Sequence, residues 1–337
     1  MGAGPAGTLK GTAMAAEDGL ICAYLLDGQG DGQELGWPEL RGLQPEQGLL
    51  WVHLDRTGSE TLRWLHEDSG LEPLMRGALL ADEVRPRELA VEAALLVILR
   101  GVNLNPGADP EDMVGVRIWL EPTRIVSLRH RPLMAVSDLR AEIAAGHGPR
   151  GPGQFLAMLS DRMIARMGPV IDELVDRADR LEDVVLTAES GELRGELADL
   201  RREAIALRRY LAPQREVMVR LSLGQAPWFE PGDRARLREV SDRTTRFVED
   251  LDAARERAAV VQDELNTRLS DQMNRTMYVL TVVATVLLPP SLVTGLLGIN
   301  VGGIPGVDSP WAFLIVVVSL VAVAMVEIAV LRRLKWV

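Results

Sequence analysis

Residues 277–297 read MYVLTVVATVLLPPSLVTGLL, and residues 311–331 read WAFLIVVVSLVAVAMVEIAVL. An apolar helix needs about 20 residues to cross a bilayer, and each run has that length. Neither run holds Lys, Arg or Asp, and Glu327 is the one charged residue in the pair. Residues 298–310 (GINVGGIPGVDSP) join the runs and are too few to form a domain. The chain is therefore expected to carry a hairpin of two membrane helices, with residues 276–337 as the transmembrane domain and residues 298–310 as its outer loop. Everything before it is the body of a membrane protein.

Positive charge sets the orientation. Arg275 precedes the first span, Arg332, Arg333 and Lys335 follow the second, and the loop has neither Lys nor Arg. The positive-inside rule then places both termini in the cytoplasm and the loop outside. Trp311 and Trp336 flank the second span at the level of an interfacial aromatic belt. Residues 1–16 are Gly/Ala-rich, lack the basic start and apolar core of a leader, and are expected to be disordered.

Outside the hairpin the chain is polar. Its net charge of -11 argues against nucleic acid as a partner, because phosphate backbones require a basic surface. Cys22 is the single cysteine, so no intrachain disulfide can form, and its apolar neighbours make it a small core residue. His53, His66, His130 and His147 are scattered, with no partner at zinc-ligand spacing. No nucleophile elbow, phosphate-binding Gly loop or catalytic dyad is recognisable. The residues thus point away from an enzyme and from a resident cofactor.

Residues 17–150 mix two periodicities. Strands are expected at residues 21–26, 49–54, 92–104, 113–121 and 123–128, the last two joined by a tight hairpin at Glu121-Pro122. Helices are expected at residues 59–69, with Ser59 as N-cap, and 72–81. This is the pattern of an α+β domain, an α/β sandwich around a mostly buried sheet. From Pro152 the strand signals stop, and residues 151–275 read as a stalk of long helices. Leu156, Leu159, Met163, Val170, Leu174, Leu181 and Val185 recur at helical steps, with an acidic opposite face running from Asp172 to Asp183. A second helix carries Leu193, Leu197, Leu200, Ala204, Leu207 and Leu211, and Pro213 is expected to kink it or end a segment near Tyr210. After a loop at residues 224–232, with Asp233 as N-cap, a heptad seam appears. It comprises Leu237, Val240, Thr244, Phe247, Leu251, Ala254, Ala258, Val261 and Leu265. No Pro or Gly interrupts it before Pro289, so one helix should run from about residue 233 to 297, its seam packed on helices of the same subunit or of symmetry mates.

The first span is two-faced. At 100° per residue Asn274, Met277, Thr281, Ala284, Leu288, Ser291 and Gly295 fall on one stripe about 100° wide. Val279, Val282, Val283, Val286, Pro290 and Val293 lie opposite. Small and polar stripes also glue membrane helices together, so the stripe alone leaves pore and packing interface open. Two spans cannot enclose a channel, so a pore requires several subunits. Gly298-Ile299-Asn300 follows where the stripe ends. Gly permits a turn and close approach, and Asn offers an amide oxygen to a cation or its water shell. Asp263 and Asp271, just before the span, are candidates for inner acidic rings.

The tripeptide, followed by VGGIPG between two C-terminal spans, resembles the two-span GxN superfamily of CorA metal-ion transporters. The Ile at the middle position and the GGIPG run resemble its ZntB zinc-transporter branch, as do residues 79–87 (LLADEVRPR) and 116–129 (VRIWLEPTRIVSLR). The resemblance implies a CorA-like funnel, a homopentamer, and a place in the bacterial inner or plasma membrane. It implies that Gly298, Ile299 and Asn300 form the selectivity mouth, Asn300 holding a hydrated metal ion transiently. It places Asn274, Met277, Thr281, Leu288, Ser291 and Gly295 along the pore. The transported divalent cation would be zinc, with a proton gradient as driving force. The acidic outer loop typical of CorA proper is reduced here to Asp308. A magnesium or cobalt channel and a non-transporting coiled-coil scaffold are the alternatives.

Overall fold

A computed structural model of the chain describes residues 18–43, 48–82, 85–185, 190–224, 226–298, 306 and 309–333. It divides into two compact units, Met1–Gln262 and Asp263–Val337. The elements run β1 (Leu20–Leu26), β2 (Gly32–Glu34), α1 (Trp37–Gly42), β3 (Leu49–Asp55), α2 (Ser59–Glu67), α3 (Pro73–Leu80), β4 (Arg87–Val91), β5 (Ala94–Gly101), β6 (Val114–Leu120), β7 (Arg124–Arg129), α4 (Met134–Ala144), α5 (Pro152–Val184), α6 (Ser190–Ser222), α7 (Pro231–Leu297) and α8 (Ala312–Arg333). The expected disordered residues 1–16 lie outside the described residues, as does Trp336.

The strands form one mixed sheet in the order β2-β1-β3-β7-β6-β5-β4, with β3 and β7 parallel and the other neighbours antiparallel. β5, β6 and β7 are buried along nearly their whole length, as a sheet covered on both faces must be. On one face Val52, Leu54, Leu96, Trp119, Val126 and Leu128 pack with Leu40 of α1, Trp64 and Leu65 of α2, and Met75 and Leu79 of α3. On the other, Trp51 stacks on Tyr24 at 5.8 Å and meets Phe155 of α5 edge-on at 5.0 Å. Helices on both sides of a sheet make the α/β sandwich that the mixed periodicity implied.

β5 outruns its neighbour. Its register with β4 ends at Ile98, so the Arg100 N–H lies past the end of that ladder. The Gln214 side chain of α6, fully buried, accepts that N–H through Oε1 at 2.7 Å. A long helix is thereby keyed to the sheet by one hydrogen bond that neither element could make alone.

Four local expectations need correction. β2, α1, β4 and α4 carry no strong periodicity and were not read from the sequence. The N-cap of α2 is Gly58 rather than Ser59, which is the first helical residue. Asp233 is likewise inside α7, which begins at Pro231, and its Oδ2 accepts the Glu230 N–H at 3.1 Å. Pro opens a helix readily because a first-turn N–H has no intrahelical acceptor to lose. Pro213 does not end a segment near Tyr210, since α6 continues to Ser222. An internal proline costs roughly 3 kcal/mol. Beyond it Val217, Met218 and Leu221 are buried, at about 1.5–3 kcal/mol each, which outweighs the loss.

The seam of α7 is satisfied within one subunit. Leu237, Val240, Thr244, Leu251, Ala254, Ala258 and Val261 are buried, with Val248 taking the place expected of the half-buried Phe247. Charged pairs stitch the same helix to its neighbours. Arg243 meets Asp161 of α5 at 2.9 Å, Arg208 of α6 meets Asp252 at 2.5 Å, and Arg257 pairs with Asp179 of α5. Gln262 accepts from Arg201 of α6 at 2.8 Å.

The centre of the sheet holds a polar cluster. Ser127 Oγ accepts from Trp51 Nε1 at 2.9 Å and lies 2.8 Å from His53 Nδ1. His53 is fully buried and its Nε2 has no hydrogen-bond partner among the described residues. Burial first, then Arg129 and Arg140, push its pKa down to about 3. Cys22, opposite His53 in the sheet, has its thiol pushed up to about 12, chiefly by burial, and is an inert core residue.

Two predictions follow from this packing. Gln214→Leu keeps the volume but leaves the Arg100 N–H without an acceptor, so the purified protein should lose about 1–3 kcal/mol in denaturant titration. An unchanged midpoint would show that the key is dispensable. His53 binds a proton in the unfolded chain below its ordinary pKa of 6.5 but in the folded chain only near 3. Stability is therefore lost as pH falls through that window, with an uptake of about one proton on unfolding that His53→Gln should remove.

Candidate functional site

The second unit is apolar surface that the chain does not cover. α7 and α8 are each long and apolar enough to cross a membrane, with mean hydropathies of 2.0 and 2.9 over their most apolar windows. None of the α7 window is buried, and 6% of the α8 window is.

Asn274, Met277, Thr281, Leu288, Ser291 and Gly295 all lie on α7 and are exposed. An α-helix puts them on one face. Gly298 closes the last turn, its N–H donating to Thr294 O at 2.9 Å. Ile299, Asn300 and Asp308 lie outside the described residues. Asp263 and Asp271 are both exposed on α7. Asp263 precedes Thr281 by five whole turns and shares its azimuth, whereas Asp271 stands about 80° away. The two acids therefore do not share one line.

The hydroxyls of this helix are turned onto its own backbone. Thr281 Oγ1 donates to Met277 O and Thr285 Oγ1 to Thr281 O, each at 2.8 Å, and Thr294 Oγ1 donates to Ser291 O at 3.0 Å. A donor used internally removes the cost of carrying a hydroxyl into hydrocarbon while leaving oxygen lone pairs exposed. Thr285, about 40° from Thr281, was not included in the stripe, although its hydroxyl is the signal that would have found it. Pro289 and Pro290 lie within the helix and have no N–H to give, so the carbonyls of Thr285 and Val286 lose their usual donors. Those two oxygens are further polar groups on an otherwise apolar stretch.

Glu327 is the one acid within the apolar run of α8. It is half-buried, and its Oε2 is enclosed with no hydrogen-bond partner among the described residues. A lone acid at such a site is costly and marks a functional position more often than a packing one.

In the first unit the acidic face of α5 is partly neutralised. Glu173 pairs with Arg180 at 2.9 Å and Asp179 with Arg257. Asp250 of α7 is held above the ordinary carboxylate range, first by burial, then by Asp172 and Glu249. Among the described residues no group of three His, Cys, Asp or Glu side chains is placed to hold a metal ion. A site that passes ions on needs weak, transient ligands rather than such a cage.

Comparison with known proteins is consistent along nearly the whole chain. The profile of a family described as CorA-like Mg2+ transporter protein matches residues 46–333. The divalent cation transporter CmaX of Pseudomonas aeruginosa is 42% identical over 324 residues, covering 95% of this chain and 97% of that protein. The zinc transport protein ZntB of Pectobacterium atrosepticum is 36% identical over 318 residues, covering 94% and 96%. The structure of full-length CmaX superposes with a TM-score of 0.82 at 41% identity, over 95% of this chain and 99% of that one. The CorA magnesium transporter of Methanocaldococcus jannaschii, at 21% identity and a TM-score of 0.78 over 94% and 99%, shares the fold. The profile match and the nearly full-length relatives together place this chain in the CorA-like Mg2+ transporter family, whose members are membrane proteins.

Proposed function

We propose that this protein carries divalent cations, zinc foremost, across the bacterial inner membrane, as a homopentamer with a CorA-like funnel and a pore lined by α7 of each subunit. The observation that carries the reading is the two-faced, uncovered span of α7, with its stripe from Asn274 to Gly295 leading to the Gly298-Ile299-Asn300 tripeptide in the sequence. One such stripe cannot enclose an ion, and five around an axis can. The amide oxygens of Asn300 would then form a ring that replaces part of a hydrated ion's outer shell without binding it tightly. Zinc is supported by the curated ZntB relatives and by the GIN and GGIPG segments. Both termini lie in the cytoplasm on the charge pattern around the spans. Proton coupling is supported by Glu327, enclosed and without a partner.

Flux into proteoliposomes, measured metal by metal with and without a pH gradient, tests each part. Zinc uptake should exceed magnesium and cobalt uptake, and Asn300→Ala should lower it at least roughly tenfold while the pentamer persists, as expected for a lost polar contact of about 1.5 kcal/mol or more. Equal uptake by that variant would remove Asn300 from the mouth. Faster magnesium than zinc uptake would assign the chain to magnesium transport, and no flux of any metal would favour a scaffold. Glu327→Gln should retain uptake but lose its dependence on the pH gradient. A gradient response identical to that of the unaltered protein would make Glu327 a packing residue.

A further inference from the structure

Along residues 277–297 of α7, Val282, Val286, Pro289 and Pro290 are half-buried and the rest are exposed. At 100° per residue these residues fall within about 100° of one another, and the middle of their line is about 150° from the middle of the stripe that runs from Asn274 to Gly295. α8 is one-sided in the same way. Ala312, Val316, Leu320, Ala324 and Glu327 are half-buried, Leu331 is buried, and the rest of the helix is exposed. This second line is about 120° wide, with Glu327 at its middle. The second unit contains α8 and the membrane half of α7. Each line is therefore the face that one helix turns to the other, and α8 covers the back of α7, away from the stripe.

Glu327 thus points at the back of α7, into a seam of valines and prolines. Its Oε2 is enclosed with no hydrogen-bond partner among the described residues. The ionisable groups of α7 on the same side are Tyr278 and Arg275, one and two turns before Val282, and both are exposed. Arg332 and Arg333 of α8 are exposed and stand more than about 100° round the helix from Glu327. An ionised carboxylate enclosed between apolar helices is costly, and a neutral acid is far less so. Ionisation and close contact along the seam therefore oppose each other. Proton uptake favours the closed seam and proton release loosens it. Because α7 carries the stripe on its other face, a change at the seam reaches the stripe without the acid entering it.

We infer that Glu327 is a positioning residue, which takes up the coupling proton on the α7–α8 seam, off the metal pathway, and acts on that pathway by moving α7. The inference rests on the reading of transport as proton-coupled and of α7 as the pore-lining helix. It excludes a shared site at which proton and metal compete.

Thiol labelling of the full-length protein in proteoliposomes tests the placement. Cys22 is buried with its thiol pushed up to about 12, so it stays silent. A charged, membrane-impermeant methanethiosulfonate should label Thr281→Cys at least roughly tenfold faster than Glu327→Cys, read by mass. Fast labelling of both puts residue 327 in the aqueous path and overturns the inference. Labelling of neither removes the stripe from the pathway, and with it the reading beneath the inference. Zinc uptake over a series of pH gradients tests the mode of action and does not depend on the cysteine variants. In the unaltered protein the maximal rate should follow the gradient while the KM for zinc holds, and in Glu327→Gln the maximal rate should no longer follow it. A gradient effect confined to KM and lost in Glu327→Gln marks competition at one site and overturns the inference. A gradient without effect on the unaltered protein removes proton coupling itself, whereas the labelling ratio still decides where residue 327 lies.

Discussion

The helix α7 must satisfy two different surroundings, and the rest of the molecule follows from that. Around Leu237, Leu251 and Val261 its apolar side is buried among helices of the same chain. From Met277 to Leu297 its apolar side is bare. Leaving a large aliphatic side chain in water rather than burying it costs about 1.5–3 kcal/mol. Over the exposed Leu, Val and Met residues of this segment, each roughly half exposed, the sum is as large as the 5–15 kcal/mol by which a folded protein is stable. The uncovered half is thus no tolerable surface defect. Lipid is as much a part of the fold as the α5 and α6 contacts are.

Hydrocarbon accepts apolar side chains but leaves every polar group to find its partner inside the protein. The threonines of α7 meet that demand by bonding to carbonyls of their own helix. The prolines act in the opposite direction, releasing the carbonyls of Thr285 and Val286. A lipid-facing helix has no use for such oxygens. A helix facing a hydrated pathway can turn them to water, which is why polar features gathered on one helix of the hairpin and a nearly uniform second helix argue for a division of labour. Glu327 is the exception on the second helix, and its enclosure requires an explanation beyond anchoring.

How much of this was legible in the sequence depended on the range of the forces involved. The spans, the strands β1, β3, β5, β6 and β7, and the long helices were readable because burial imposes a period on adjacent residues. The stripe from Asn274 to Gly295 rests on the helical period alone, its residues being exposed on α7. β2 has three residues and α1 six, too few for a period to emerge. Pro213 misled because its local cost is offset by Val217, Met218 and Leu221, whose burial is decided by the sheet they pack near. The arginine cluster at the end of α3 had no signature at all. Arg56, Arg117 and Tyr210 are far apart in the chain, and only the crossover that sets β7 beside β3 brings the first two together.

Basic residues in this chain are almost all arginine, Lys10 and Lys335 being its lysines. Elsewhere in the body the guanidinium groups are spent on carboxylates of neighbouring helices. Arg166 of α5 grips Asp138 of α4 with two bonds of 2.6 Å, and Arg177 of α5 grips Glu203 of α6 at 2.7 and 3.1 Å. These pairs are partly exposed and individually contribute little, but their forked geometry fixes the angle at which helices meet. The same habit holds around the end of α3, where Arg56 pairs with Asp82 at 2.8 Å and Arg131 pairs with Asp112. Arg117 turns instead to backbone, donating to Ala81 O and Asp82 O at 2.8 and 2.9 Å, so that one guanidinium closes the helix on carbonyls while its neighbour Arg56 closes it on an acid.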